Sequence, residues 1–322
     1  MYETLRAPPP APWGFGAPGG HLLTAGGLQP EFADALCARA AALAAGEARP
    51  AAHAGRAVAL LFFQPSTRTR LGFEVATAAL GAQPVGMDDM EMSRSNARSG
   101  ESLEDCAAVV SRLCDGIVLR HHLAGAAARM AAVARCPVIN AGDGWGEHPT
   151  QALIDLFALR RGLGELRGRT LGFVGDPRAR TLRSLLLLLR HEPLAEIVLC
   201  PSQPLPADAL AALEGRPVRM VDHVDAALRA CEALVVSPYD VSDIGERRDS
   251  GYLSPRHTPD AYRVTAEAIA RAGSSALLYH PLPRHDEIDP DCDALPQAMY
   301  FEQVRLSRYM RVAILERALA AP

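Results

Sequence analysis

The sequence predicts an α/β protein made of two doubly wound domains, each a mainly parallel sheet flanked by helices. Three observations carry this. Short apolar runs of strand type alternate with segments of helical periodicity along most of the chain. The alternation runs through twice, and 322 residues are enough for about two domains of ordinary size.

In the first half, strands are expected near Ala57–Phe63, Pro84–Met87, Gly116–Arg120 and Pro137–Asn140. Helices are expected near Glu31–Ala45, Thr67–Leu80, Glu101–Leu113 and Ala124–Ala134. The second half repeats the rhythm, with strands near Thr170–Val174, Glu196–Cys200, Val218–Val221, Ala233–Ser237 and Ala276–Tyr279, and a last amphipathic helix over about Phe301–Ala320. Residues 1–20, rich in Pro, Gly and Ala, read as a loose arm rather than a leader, because no charged segment precedes an apolar one. The expected division is an arm over 1–20, a first domain over 21–147, a second over 148–300, and a C-terminal helix over 301–322 that packs back on the first domain.

Composition narrows the function classes. A net charge of −4 without any basic run excludes a nucleic-acid footprint. No apolar run approaches the ~18 residues of a membrane span. All 33 basic residues are arginine, so Schiff-base and P-loop lysine chemistry is impossible. Seven scattered cysteines without a C-x-x-C pair argue against a disulfide framework or a zinc site and suit a reducing, cytoplasmic setting. No metal or cofactor is expected.

Ligands of such sheets bind at the carboxyl ends of strands, and four loops there hold chemistry. The first is Phe62-Phe63-Gln64-Pro65-Ser66-Thr67-Arg68-Thr69-Arg70, where Ser66 is placed to cap a helix whose free N–H groups, with two guanidiniums and the hydroxyls, suit a doubly charged oxyanion. The second is Arg120-His121-His122 after a strand. The third, Gly142-Asp143-Gly144-Trp145-Gly146-Glu147-His148-Pro149-Thr150-Gln151, lacks dinucleotide-loop spacing, and its Pro149 fits the first position of a helix that brings His148 and Gln151 into one turn. The fourth is the double-proline turn Tyr279-His280-Pro281-Leu282-Pro283-Arg284. Taken singly, each has an ordinary structural explanation as a solvated turn, a strand cap or a loop-shaping element. Their occurrence together at successive strand ends does not.

These segments, with "VGD…RT…S" from Val174 and "HPLPR…DEI" from His280, resemble in order and spacing the aspartate/ornithine carbamoyltransferase family, on the side of its aspartate-using catalytic chains, from about Leu22 to Leu319. The ornithine-using relatives carry H-C-L-P where this chain has His280-Pro281-Leu282-Pro283. The resemblance implies carbamoyl transfer from carbamoyl phosphate to an amine, by default L-aspartate in pyrimidine biosynthesis. It assigns the phosphate to Ser66, Thr67, Arg68 and Thr69, with Arg70 supporting the loop. Arg120 would bridge phosphate and carbonyl oxygen, His148 and Thr69 would donate to that oxygen, and Gln151 and the carbonyls of Pro281 and Leu282 would accept from the carbamoyl NH2. It also implies a homotrimer with shared active sites and domain closure on the second substrate, and leaves a regulatory chain open.

On the acceptor side the sequence departs from the family. Arg180 fits the carboxylate-binding Arg after a one-residue gap, but the R-x-Q element is replaced by Ser237-Pro238-Tyr239-Asp240. Asp240 and Asp243 are expected to repel an acceptor carboxylate and to suit a cationic or polar tail. Ser99 stands where relatives carry lysine, with Arg98 beside it, in the loop from Ser95 that a neighbouring subunit would receive; Arg247, Arg248 and Arg256 are candidates for the missing clamp. Acceptor-side candidates are therefore Arg180, Ser95, Arg98, Ser99, Tyr239 and Asp240. Two alternatives follow: transfer to a different amino acid or amine, and a non-catalytic carbamoyl phosphate-binding subunit, against which the retained Arg120, His148 and Gln151 argue.

Overall fold

The computed structural model describes residues 20–86, 100–241 and 257–320. Ser95, Arg98, Ser99, Asp243, Arg247, Arg248, Arg256 and nearly all of the N-terminal arm lie outside the described residues. The chain divides into two compact units, one running to Leu153 and resuming at Leu306, the other spanning Ile154–Arg305.

The first unit is built on four strands, β1 (Ala57–Phe62), β2 (Gln83–Gly86), β3 (Gly116–His121) and β4 (Val138–Asp143), in the order β2-β1-β3-β4 with every pairing parallel. Parallel strands covered on both faces read as near-continuous apolar runs, and β1, β3 and β4 are buried almost throughout. Edge strand β2 is mostly exposed. The helices are α1 (Pro30–Ala45), α2 (Thr67–Ala79), α3 (Leu103–Val110) and α4 (Ala126–Ala131), followed by α5 (Pro149–Leu163), which begins here. Pro30 opens α1 and Gly46, at φ 74°, closes it in the left-handed conformation that glycine takes without a Cβ penalty.

Helices α3 and α4 are shorter than their periodicity predicts, for identifiable reasons. Ser102 caps α3 by accepting from the Asp105 N–H at 3.0 Å, so the helix starts two residues late. Gly125, at φ 79°, precedes α4 and donates its N–H to the Asp143 carboxylate at 2.7 Å. Both helices tighten at their ends into i→i−3 bonds, Arg112 to Val109 and Val133 to Met130.

The second unit holds β5 (Thr170–Gly175), β6 (Glu196–Pro201), β7 (Val218–Met220), β8 (Ala233–Val236) and β9 (Leu277–Tyr279), all parallel in the order β7-β6-β5-β8-β9. It also holds α6 (Arg180–Leu189), α7 (Ala207–Leu213), α8 (Val224–Ala230) and α9 (Ala266–Ala272). Its core gathers Val174, Val198, Val236 and Leu278 from four strands with Leu228 and Ile269 from the helices. The last helix, α10 (Tyr300–Leu319), contributes Leu306 onward to the first unit. There the buried Arg311 lies over the Phe73 ring at 5.6 Å, and Glu316 pairs with Arg39 at 2.7 Å.

In each sheet the chain starts in the middle and winds out in both directions. The strand order therefore reverses between β1 and β3 and again between β5 and β8. Loops leaving the two central strands diverge there and open a crevice at their carboxyl ends.

Two buried histidines make the first unit acid-sensitive. His21 accepts from Val138 N–H through Nδ1 at 2.8 Å, His121 likewise from Leu123 N–H at 2.9 Å, and burial lowers the pKa of each to about 4. Between that value and the unfolded value near 6.5 the unfolded chain binds more protons, so stability is lost as pH falls through the window. At pH 5 each histidine should cost about 2 kcal/mol relative to pH 7. Urea midpoints measured at the two pH values check this, and equal midpoints would contradict it.

Candidate active site

The β1–α2 junction places the Ser/Thr/Arg cluster at the first switch point. Ser66 occupies the cap position of α2 with extended backbone (φ −162°, ψ 93°), yet its hydroxyl makes no capping bond. The sequence predicts a capping serine, and the structure instead leaves that hydroxyl and the first N–H groups of α2 available. Among the described residues Ser66, Thr67, Arg68 and Thr69 have no side-chain hydrogen bond or ion pair. No acidic residue stands in the first turn, so the positive end of the helix is uncompensated. Arg68 is exposed, but partial desolvation of its guanidinium lowers its pKa, with no carboxylate offsetting the effect. Arg70 is differently placed: its Nε donates to Glu74 at 2.9 Å, one turn along the same helix. It stiffens the helix start rather than presenting a free charge.

The next strand end is tied to this one, because Phe63 N–H donates to the Arg120 carbonyl at 2.8 Å. The β3–β4 register slips between Leu119 and His121, putting Arg120 on an irregularity that re-aims its side chain. Its Nη1 donates to the Ala141 carbonyl at 3.1 Å while its buried Nε finds no acceptor among the described residues. The guanidinium passes directly over Gly142. A Cβ there would lie 2.6 Å from Arg120 Nη1 and 3.2 Å from His148 Cδ2, and Gly142 has φ 109°. Gly142 is thus the floor on which Arg120 and His148 converge.

The remaining glycines of that loop serve packing rather than a nucleotide. A Cβ on Gly144 would meet the His122 carbonyl at 2.1 Å, and one on Gly146 would meet Asp143 Oδ1 at 2.5 Å. Asp143 organises the turn, accepting from Gly125 N–H at 2.7 Å and Glu147 N–H at 2.8 Å, and Glu147 in turn accepts from Ala25 N–H at 2.6 Å. This places His148 at the cap of α5, its carbonyl accepting from Gln151 and Ala152 N–H, with Pro149 first in the helix. His148 is buried, and its Nδ1 lies 3.2 Å from the Thr150 hydroxyl. When Thr150 donates, the imidazole carries its proton on Nε2 and can donate it onward. Gln151 is buried one turn into the helix.

The second unit's crevice is organised by a residue the sequence reading passed over. Asp176, fully buried at the end of β5, accepts from Val241 N–H at 3.0 Å and from Arg178 through its backbone and guanidinium, and its own N–H donates to the Pro238 carbonyl at 2.9 Å. Arg178 Nη2 also reaches Asp240 Oδ1 at 3.1 Å. Asp176 first, against partial desolvation, and then Asp240 raise the Arg178 pKa. Asp240 therefore shares the Arg178 guanidinium with Asp176, and the repulsion expected from it is reduced rather than cancelled. Arg180 opens α6. The Tyr239 ring packs against Tyr262 with centroids 5.2 Å apart while its carbonyl accepts from the Ser202 hydroxyl at 2.5 Å, which makes it a structural part of the segment. The signal for Arg178 was present in sequence, as a strand-end Asp followed two residues later by Arg.

The turn after β9 is locked by buried polar groups. His280 Nδ1 accepts from Leu282 N–H at 2.8 Å, so its proton resides on Nε2, which faces Glu287 Oε1 at 2.8 Å. Desolvation pushes the Glu287 carboxyl upward, but the bonds from His280 and the His285 N–H outweigh it and hold the pKa below the usual value. Gln303 accepts from His280 N–H at 3.0 Å and donates to Asp155 at 2.6 Å. Leu282 sits at φ 54° before a cis Pro283. Arg284 is paired with Asp293 and Tyr300.

The family model described as aspartate/ornithine carbamoyltransferase, carbamoyl-P binding domain, matches residues 20–161, and the Asp/Orn binding domain model matches residues 167–318. The chain is 36% identical over 303 residues to the aspartate carbamoyltransferase catalytic subunit of Methanoculleus marisnigri, covering 93% of this chain and 99% of that one. The Archaeoglobus fulgidus catalytic subunit is also 36% identical, at the same coverage. Among solved structures, the Trypanosoma cruzi aspartate transcarbamoylase in complex with carbamoyl aspartate and phosphate superposes with TM-score 0.83 at 29% identity, covering 98% of this chain and 100% of that one. The catalytic subunit of M. jannaschii aspartate transcarbamoylase gives a TM-score of 0.80 at 32% identity, covering 93% of this chain and 98% of that one.

Two substitutions test the geometry. Gly142→Ala should lower kcat/KM at least 100-fold while the protein still folds, because a Cβ at φ 109° collides with Arg120. Full activity would show that Arg120 does not need this floor. Glu287→Ala removes the acceptor facing buried His280 and should destabilise the second unit by roughly 3 kcal/mol, read from a denaturant midpoint; a shift below about 0.5 kcal/mol would contradict the network.

Proposed function

The chain belongs to the aspartate/ornithine carbamoyltransferase family and is an enzyme of the carbamoyltransferase type, and on that premise we propose how its own residues carry the reaction. It transfers the carbamoyl group of carbamoyl phosphate to L-aspartate, giving N-carbamoyl-L-aspartate and phosphate. The observation that carries the site assignment is the set of unspent donors at the start of α2, Ser66 to Thr69, beside the end of β3 that bears Arg120 and the Gly142 floor on which Arg120 and His148 converge.

In this reading the phosphate dianion rests on the α2 N–H groups, the hydroxyls of Ser66, Thr67 and Thr69, and the Arg68 guanidinium. Arg120 spans the phosphate and the carbonyl oxygen. His148 Nε2–H and the Thr69 hydroxyl donate to the same oxygen, and Gln151 accepts from the carbamoyl NH2, as do the Pro281 and Leu282 carbonyls. The amine lone pair attacks the carbonyl carbon, and the tetrahedral oxyanion is stabilised by donors already in place. The C–O bond to phosphate then breaks, and the phosphate leaves with the proton lost from the amine. No side chain has to act as the base, which suits a buried histidine used as a donor.

Arg180 is assigned to an acceptor carboxylate. The Arg178–Asp240 pair supports aspartate as acceptor, since it lessens the charge conflict in the 237–241 segment. The residual acidity of that segment, two carboxylates to one guanidinium in the Asp176-Arg178-Asp240 cluster, favours a second reading in which an acceptor with a cationic tail competes. Family membership also supports a homotrimer in which the loop with Ser95, Arg98 and Ser99 completes a neighbour's site. All seven cysteines are free, which suits the cytoplasm.

Phosphate release measured with carbamoyl phosphate and aspartate, ornithine, diaminopropionate or putrescine tests the reading. Turnover with aspartate at least tenfold above the other amines is expected, and turnover confined to a diamine would overturn aspartate. His148→Ala should lower kcat at least 100-fold, about 3 kcal/mol of transition-state stabilisation. Unchanged turnover would remove it from the mechanism.

A further inference from the structure

The turn that follows β9 holds a backbone conformation that its own residues disfavour. Leu282 has φ 54° and is the only non-glycine residue with a positive φ among the described residues. A residue with a Cβ adopts this left-handed region reluctantly, so the conformation persists only where the surroundings impose it. Backbone held against its preference concentrates at functional sites, and here the groups that hold it can be traced.

They form one buried chain of hydrogen bonds. Leu282 N–H donates to His280 Nδ1 at 2.8 Å, and His280 Nε2–H donates to Glu287 Oε1 at 2.8 Å. The two side chains are 1% and 2% exposed, so both bonds are made out of water and are correspondingly strong. Glu287 stands on a fixed base. Its backbone carbonyl accepts from Val264 N–H at 2.9 Å and its Oε2 from His285 N–H at 3.0 Å. The neighbouring Asp286 accepts from the Thr258 N–H at 2.9 Å and hydroxyl at 2.6 Å. The His280 backbone is fixed separately, its N–H donating at 3.0 Å to Gln303, which is held in turn by buried Asp155 at 2.6 Å. Every one of these bonds lies within the second unit.

This chain of bonds fixes the direction of a carbonyl. The Pro281–Leu282 peptide bond is trans, and in a planar trans peptide the N–H and the C=O point in opposite directions. The Leu282 N–H points at His280 Nδ1, so the Pro281 carbonyl points away from the imidazole, and its direction follows the imidazole. The left-handed φ of Leu282 then orients the next peptide, which carries the Leu282 carbonyl. Without Glu287 the imidazole is free to turn about its Cβ–Cγ bond. The Leu282 N–H then loses its acceptor, and the turn loses the contact that imposes its conformation.

We propose that Glu287 is a positioning residue for recognition of the carbamoyl group: through His280 it holds the Pro281 and Leu282 carbonyls where they distinguish an NH2 from a group that cannot donate. This rests on the proposed acceptance of the carbamoyl NH2 by these carbonyls. Acetyl phosphate is the discriminating probe, because it presents a methyl group where carbamoyl phosphate presents NH2, and inorganic phosphate presents neither. Dissociation constants of all three are measured calorimetrically on the full chain without an acceptor amine. The unaltered chain should bind carbamoyl phosphate about tenfold more tightly than acetyl phosphate. Glu287→Ala should reduce that preference about fivefold, with inorganic phosphate bound as in the unaltered chain to within about twofold. Glu287→Gln, which keeps an acceptor for His280 Nε2–H, should retain the preference. Glu287→Asp withdraws the carboxylate by one methylene while keeping its charge; it should lower the preference about threefold and replaces Glu287→Ala if that variant does not fold. A preference unchanged in Glu287→Asp and Glu287→Ala, or a parallel loss of affinity for all three ligands, would overturn the proposal and leave the carbonyl assignment standing. Equal affinity for carbamoyl phosphate and acetyl phosphate in the unaltered chain would overturn that assignment, and the proposal with it.

Discussion

The reversal of strand order at the centre of each parallel sheet is the constraint from which the chemistry of this molecule follows. Strands covered on both faces leave no room for charge along their length, and in β1, β3, β5 and β8 nearly every residue is buried. Charged and hydrogen-bonding groups are confined to the strand ends. Where neighbouring connections diverge, those ends stay open. Ser66–Thr69 sit beyond one such pair of strands, with Arg120 in the last residues of β3, and Asp176, Arg178 and Asp240 sit beyond the other.

The two crevices solve opposite electrostatic problems. The first gathers positive potential and leaves much of it unspent: a helix start without a side-chain cap and an exposed Arg68 guanidinium that has no counter-ion among the described residues. Such an arrangement is unfavourable until an anion arrives, and an anion then gains bonds already oriented. The second crevice buries a carboxylate completely and satisfies it with backbone N–H groups and Arg178. Burial of a charge is tolerable only with such partners. Here they also fix the 238–241 segment, because the same guanidinium holds Asp240.

Most of the architecture was legible in the sequence, since a buried parallel strand is a short apolar run and a covering helix is a 3.6-residue pattern. The strand positions found at β1, β3, β5, β6 and β8 follow that signal to within a residue or so at most ends. The motif loops were legible too, because their residues lie close together in the chain. What escaped was long-range pairing. The bond from Arg178 to Asp240 joins positions 62 apart, and nothing local to Asp240 announces that its charge is compensated. Gly142 was visible as a glycine, but its purpose depends on Arg120, 22 positions earlier by the residue numbers, passing over it. The ends of α3 and α4 were set by Ser102 and by the Asp143–Gly125 bond rather than by apolar periodicity.

The central claim is that the start of α2 holds the phosphate group of the substrate. Its most direct test is the inhibition constant of inorganic phosphate, competing against carbamoyl phosphate, in the unaltered chain and in Arg68→Ala. Loss of a charge-assisted contact of about 2 kcal/mol predicts a rise of roughly 30-fold at unchanged melting temperature. An inhibition constant that does not move would mean that the phosphate is held elsewhere.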